Sequence, residues 1–173
     1  MKRRDLEHIV RAAAAVSDQA EIVVIGSQSI LGAVPDAPGE LLVSMDADLY
    51  PLHRPDLATA IEGAIGEGSP FAETFGYFAH GVGPETARLP PGWAGRLVRV
   101  QNANTDQKIA YCLEPNDMAL SKLVAGREKD GPFVAVMLRH GIVDRATLQQ
   151  RLVSLAVDPA TRERIRQWIA AQP

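Results

Sequence analysis

Apolar positions at the start of the chain recur with a helical period. Leu6, Ile9, Val10, Ala13 and Ala14 fall on one side, which predicts an amphipathic helix over about Arg4–Val16. The period then breaks. Glu21–Ile25 (EIVVI) is a short, mostly β-branched run ended by Gly26, the pattern of a buried strand feeding a tight turn. A short helix is expected from Ser27 to about Gly32, then a Pro/Gly-rich surface loop over Val34–Glu40. A second strand is expected over Leu41–Tyr50 (LLVSMDADLY), ended by Pro51. Pro55 and Asp56 then open a helix to about Ile65, with Leu57, Ile61, Ala64 and Ile65 on one face. From FAETFGYFAHG to KIAYCL the chain mixes glycines, aromatics and short apolar runs, which predicts two to four short strands with Asn102–Asp106 as a hairpin connection. From Glu114 the pattern is helical to the end, in four segments each opened by Pro or Asp. Short connections between them favour antiparallel packing. The expected architecture is an α/β (α+β) core over residues 1–113 followed by a helical subdomain over residues 114–173.

Composition narrows the function classes. With 46% hydrophobic and 23% charged residues among 173, the chain can bury a real core, which excludes disordered and fibrous classes. Eighteen Lys and Arg against 21 Asp and Glu give a net charge of −3, so no global basic field draws it to nucleic acid, and such a contact requires a local patch. The single cysteine, Cys112, lies in an apolar stretch and forms no internal disulfide, which fits a reducing cytoplasm. The basic start of the chain is interrupted by acids and reads as a folded helix, not a targeting segment. No run approaches the 18 or so apolar residues needed to cross a bilayer.

The residues that suggest chemistry sit in two places, Gly26-Ser27 at the end of the first strand and Asp46-Ala47-Asp48 on the second. Strand alternation puts Asp46 and Asp48 on one face with Cα atoms about 6.5–7 Å apart. Two like charges at that range cost on the order of 2 kcal/mol at an effective dielectric near 20. A bound cation removes that cost, and hard divalent ions take carboxylate and phosphate oxygens together. Gly26 permits close backbone approach, and Ser27 at a helix start offers a hydroxyl and free amides to a phosphate.

Strand, Gly-Ser, helix, then a strand bearing Asp-x-Asp resembles the nucleotidyltransferase fold of DNA polymerase β and the minimal nucleotidyltransferases. In the second half, Asp117, Lys122, Arg127, Lys129 and Asp130 within NDMALSKLVAGREKD are similar to the pattern of AbiEii-like nucleotidyltransferases, a group that includes bacterial toxin–antitoxin components. GYFAHGVGPETARLPPGW with LEPNDMALSKLVAGREKD looks like a bacterial family of that superfamily whose members mostly lack an assigned substrate, and the resemblance covers nearly the whole chain. It implies a nucleotidyltransferase-type mixed sheet flanked by helices. It also implies that Gly26 and Ser27 hold a triphosphate, that Asp46 and Asp48 bind catalytic Mg²⁺ or Mn²⁺, and that Lys122 and Arg127 meet phosphate charge. The implied activity is transfer of a nucleoside monophosphate from an NTP to a protein or RNA hydroxyl, within a toxin–antitoxin or phage-defence pair. Charge neutralisation and positioning provide most of the catalysis in such transfers.

Two features depart from the pattern. The gap between Ser27 and Asp46 holds 18 residues, longer than is common, and no third strand carboxylate is evident, with Glu73 and then Asp106 as candidates. Their absence motivates an alternative, a catalytically inactive nucleotidyltransferase-fold module with a binding or antitoxin-like role. Individual residues also have structural readings: Lys122 as a solvated helix residue, Arg127, Lys129 and Asp130 as an exposed charge run, Asp117 as a helix starter, Trp93 as a core anchor. His8, His53, His80 and His140 show no metal-ligand spacing, and no zinc site is expected. No G-x-S-x-G, Walker A or G-x-G-x-x-G motif occurs.

Overall fold

The computed structural model describes residues 1–172. Helix α1 (Arg3–Ser17) buries Leu6, Ile9, Val10, Ala13 and Ala14, the face that its apolar period predicts, and stops at Asp18 in the left-handed conformation. The chain then enters β1 (Glu21–Ile25), whose last four residues are buried on both faces because this strand lies at the centre of a five-stranded sheet. A 3-10 turn, Ser27–Ser29, and a single helical turn, α2 (Ile30–Ala33), follow. Strand β2 (Asp46–Pro51) and helices α3 (Ala58–Ile65) and α4 (Pro70–Phe75) lead to β3 (Phe78–Gly81). Strands β4 (Val98–Val100) and β5 (Ile109–Cys112) complete the sheet. The remainder is helical: α5 (Pro115–Ala125), α6 (Asp130–Arg139), α7 (Arg145–Ser154) and α8 (Pro159–Ala170).

The strand order is β3-β2-β1-β5-β4. β1 pairs antiparallel with β2 and parallel with β5, β2 pairs parallel with β3, and β4 closes the other edge antiparallel to β5. This is the mixed α/β sheet flanked by helices that the sequence predicts. Asn102–Asp106 does connect the β4–β5 hairpin, with Asn102 accepting from the Asn104 and Thr105 amides.

Two expectations are corrected. The second strand begins at Asp46, not Leu41: β1 reaches only to Ile25, opposite Asp48, and the ladder with β3 begins at Asp46, opposite Phe78, so the residues from Leu41 lie ahead of both ladders. Leu41 instead closes a 3-10 turn over Gly39–Leu41, and Val43 is 77% exposed. FAETF, read as strand, is α4. Ser69 caps it by accepting from the Ala72 amide at 3.1 Å, Pro70 takes the first helical position, and Phe71 and Phe75 meet His8 of α1 at tilted and edge-on angles while Phe75 stacks on Tyr77.

The helix starter of α5 is Glu114, whose side chain accepts from the Asn116 and Asp117 amides. Asp117, expected in that role, is 1% exposed and ties two distant parts of the chain together. It accepts from Arg96 Nε at 2.8 Å and Arg151 Nη1 at 2.7 Å, fastening the segment before β4 to α7. Trp93 packs half-buried against the core in the same segment. Among the described residues, no helix is long and apolar enough to cross a membrane.

Cys112 is fully buried in β5, and burial pushes its thiol up to about 12. The thiolate is the reactive form, so the native protein should leave a thiol reagent unconsumed and react with one equivalent only after denaturation. Rapid stoichiometric labelling of the native protein would contradict this placement.

Candidate functional site

The strand directions bring one end of three strands together. Because β1 runs against β2 and β2 runs with β3, the end of β1 lies at the same edge of the sheet as the starts of β2 and β3, with Ile25 opposite Asp48. Asp46 and Asp48 alternate onto one face of β2, and in the adjacent strand His80 stands directly opposite Asp48. One ligand-bearing atom from each of Asp46, Asp48 and His80 lies within 4.8 Å of the others. His80 Nδ1 is 3.0 Å from Asp48 Oδ1, and the Ser44 hydroxyl donates to Asp46 Oδ1.

Gly26 makes this packing possible. Its φ of 68° and ψ of −163° lie in a region that essentially only glycine adopts, and a Cβ there would fall 2.0 Å from Asp48 Oδ2. The carboxylate therefore lies directly against the backbone of the turn, which Ser29 Oγ closes by donating to the Gly26 carbonyl at 2.9 Å. Burial raises the Asp48 carboxyl above the ordinary carboxylate value and the neighbouring Asp46 charge adds to that, against the pull of His80 and Lys122.

The opposite wall is cationic. Lys122 on α5 is 4% exposed, and its Nζ donates to Ser27 Oγ at 3.0 Å and reaches Asp130 Oδ1 at 3.4 Å, with the Phe133 ring centroid 4.4 Å away. Burial pulls the Lys122 ammonium below the ordinary amine value, and the Asp130 charge opposes that pull. Burial alone would raise the fully buried Asp130, but hydrogen bonds from Arg127 and the charges of Lys122 and Arg127 more than offset it and hold its carboxyl low. Arg127 contributes its backbone amide at 3.1 Å and its Nε at 2.9 Å, both to Asp130 Oδ2. These two walls enclose an open cavity of about 410 Å³ lined in part by Gly26, Ser27, Asp46, Asp48, Lys122 and Arg127.

The six residues that the resemblance assigns to phosphate and metal, Gly26, Ser27, Asp46, Asp48, Lys122 and Arg127, thus line one cavity, although α5 and β1 are far apart in the chain. Several structural readings fail. Lys122 is not solvated, and Asp130 is a buried anchor for both cations, not part of an exposed charge run. The turn carrying Ser27 is only three residues of 3-10 helix, too short to gather a helix dipole, so positive charge comes from Lys122 and Arg127. Neither candidate for a third carboxylate joins the pair. Glu73 lies exposed in α4, and Asp106 precedes β5 at the far end of the sheet, where Ile109 pairs with Glu21. The strand position beside Asp48 is taken by His80, whose spacing along the chain from the other histidines gives no sign of a ligand. Alternation within FAHG puts His80 on the side of Phe78, and only the register with β2 makes this the face of Asp46 and Asp48.

The arrangement offers oxygen and nitrogen donors on one wall and fixed positive charge on the other, which suits an anionic group bridged by a cation. The model of the family described as nucleotidyltransferase of unknown function (DUF6036) matches residues 4–167, and the chain belongs to that family. No curated protein and no solved structure matches it.

Two substitutions test this geometry through stability. Gly26→Ala should cost at least about 2 kcal/mol in denaturant unfolding, because strain at that φ and ψ adds to the clash with Asp48. A neutral effect would mean that the turn is not held as described. Asp48→Asn should act in the opposite sense. A raised carboxyl pKa means that the charged form is penalised in the folded state, a penalty absent below the ordinary carboxylate value and full above the folded one. Thermal unfolding without added metal should therefore show the variant a few degrees more stable than the native protein at neutral pH and no more stable in acid. Destabilisation at neutral pH would contradict the charge balance described.

Proposed function

We propose that this chain is a metal-dependent nucleotidyltransferase that moves a nucleoside monophosphate from an NTP to a hydroxyl of a protein or RNA. The observation that carries this reading is the pairing of the Asp46–Asp48 wall with the Ser27–Lys122 wall across one cavity of about 410 Å³. Membership in a nucleotidyltransferase family supports it. Residues 1–113 are taken as the core that carries the carboxylates, and residues 114–173 as a helical subdomain that delivers Lys122 and Arg127.

The donor set fits a divalent cation. The Asp48 carboxylate is held against the Cβ-free backbone of Gly26 and beside the Asp46 charge, and a counter-ion relieves both that burial and the repulsion. Asp46 and Asp48 would hold Mg²⁺ or Mn²⁺, which when bound supplies neutralisation of the triphosphate. Gly26 makes room for the Asp48 carboxylate against the turn, and Ser27 Oγ and Lys122 Nζ, already 3.0 Å apart, are placed to share a phosphate oxygen. Arg127, at the edge of the cavity, meets the outer phosphate. In the transfer, an acceptor oxygen forms a bond to the α-phosphorus as the bond from that phosphorus to the bridging oxygen breaks. Pyrophosphate leaves with the bridging oxygen, and the acceptor proton passes to solvent. The protein's share of catalysis is fixed charge and positioning.

The resemblance of residues 116–130 to AbiEii-like proteins extends this reading to a cytoplasmic component of a toxin–antitoxin or phage-defence pair with a cognate protein partner. The departure at the third strand position, His80 in place of a carboxylate, favours one alternative, a module that binds nucleotide without transferring it.

Calorimetric titration with ATP, CTP, GTP and UTP in Mg²⁺ or Mn²⁺, followed by incubation with labelled NTP and cell extract, separates these readings. Metal-dependent binding with label on a protein or RNA is the expected result, and binding without label supports the module. Asp46→Asn with Asp48→Asn should abolish metal-dependent binding in a folded protein, and Lys122→Met should weaken it by roughly 10- to 100-fold. Unchanged binding in the folded double variant would overturn the assignment.

A further inference from the structure

We infer that His80 is a third ligand of the cation held by Asp46 and Asp48, and that it shifts the site's preference from Mg²⁺ toward Mn²⁺ and the other first-row divalent ions. The inference rests on the proposed reading of Asp46 and Asp48 as metal ligands. It extends that reading to a residue on another strand and to the identity of the ion.

Three observations carry it. The first is register. In the parallel β2–β3 pair, Phe78 stands opposite Asp46 and His80 opposite Asp48, so the imidazole shares the face of both carboxylates. The second is distance. Adjacent ligands of a six-coordinate ion with bonds of about 2.1–2.2 Å lie about 3.0–3.1 Å apart. His80 Nδ1 and Asp48 Oδ1 are 3.0 Å apart, and all three residues offer atoms within 4.8 Å of one another. Replacing the hydrogen bond by a shared ion needs little movement of either side chain. The third is access. The His80 side chain is 54% exposed, lines the same cavity as the carboxylates, and gives up its Nδ1 contact to Asp48 by moving that proton to Nε2, which turns the Nδ1 lone pair toward an ion.

Ligand chemistry then decides the ion. Mg²⁺ binds oxygen and keeps its waters, whereas an imidazole nitrogen suits first-row transition ions. Mn²⁺ accepts both kinds of donor in octahedral geometry and releases water more readily than Mg²⁺, so two carboxylates and one imidazole favour it. A carboxylate at the same strand position would keep an all-oxygen set suited to Mg²⁺.

The test uses the full chain and the metal alone. Mn²⁺ should bind at least about tenfold more tightly than Mg²⁺ by calorimetry, and pulsed electron paramagnetic resonance of the Mn²⁺-loaded protein should show coupling to one imidazole ¹⁴N. His80→Ala should remove the coupling and weaken Mn²⁺ about tenfold or more, with His80→Gln as a second variant and circular dichroism verifying the fold of each. His80→Asp should also remove the coupling but strengthen Mg²⁺, closing the gap between the two ions. Mn²⁺ bound without nitrogen coupling, or bound equally well by His80→Ala, would overturn the inference, as would failure of the wild-type chain to bind either ion. Label transfer without nitrogen coupling retains the enzyme and sinks this inference, whereas coupling without transfer does the reverse.

Discussion

The site depends on a buried ion pair. Lys122 and Asp130 are 4% and 0% exposed, and taking two charges out of water is costly unless every donor and acceptor is engaged. Here they are engaged. Asp130 accepts from the backbone and guanidinium of Arg127 as well as facing Lys122, which fixes the carboxylate and leaves the ammonium turned toward Ser27 and the Phe133 face. The same contacts fasten α5 and α6 to the turn after β1. A positive charge is therefore in place before any ligand arrives, which is the condition under which a charge contributes most to stabilising an anion.

Across the cavity the balance is reversed. Asp46 and Asp48 repel one another, Asp48 is poorly solvated, and Gly26 occupies a conformation that other residues avoid. These are local costs to folding, gathered at the junction of β1, β2 and β3, and the hydrophobic centre of the sheet around Ile22–Ile25 holds them in place. One wall supplies fixed positive charge at the expense of desolvation, the other supplies ligands at the expense of repulsion. A cation and a polyphosphate together would satisfy both.

Much of this was legible in the chain. The β-branched run ended by Gly26 fixed β1 at Glu21–Ile25, and the Pro- and Asp-opened segments gave the four C-terminal helices, because both signals are local. Alternation placed Asp46 and Asp48 on one face. What sequence could not supply were facts of pairing. The start of β2 depends on where its ladder with β3 begins, and His80 meets Asp48 only through the parallel register of those two strands, whereas the Ser69-Pro70 start of α4 is itself a local signal. Asp130 likewise reads as one charge in an exposed run until the packing of α6 against α5 buries it.

A crystal structure with a non-hydrolysable NTP analogue and Mn²⁺ tests whether the Ser27–Lys122 and Asp46–Asp48 walls together bind a nucleoside triphosphate. The predicted result places phosphate oxygens on Ser27 Oγ and Lys122 Nζ, with the ion between the phosphates and both aspartates. A nucleotide bound elsewhere on the surface, with this cavity empty at saturating concentration, would contradict it.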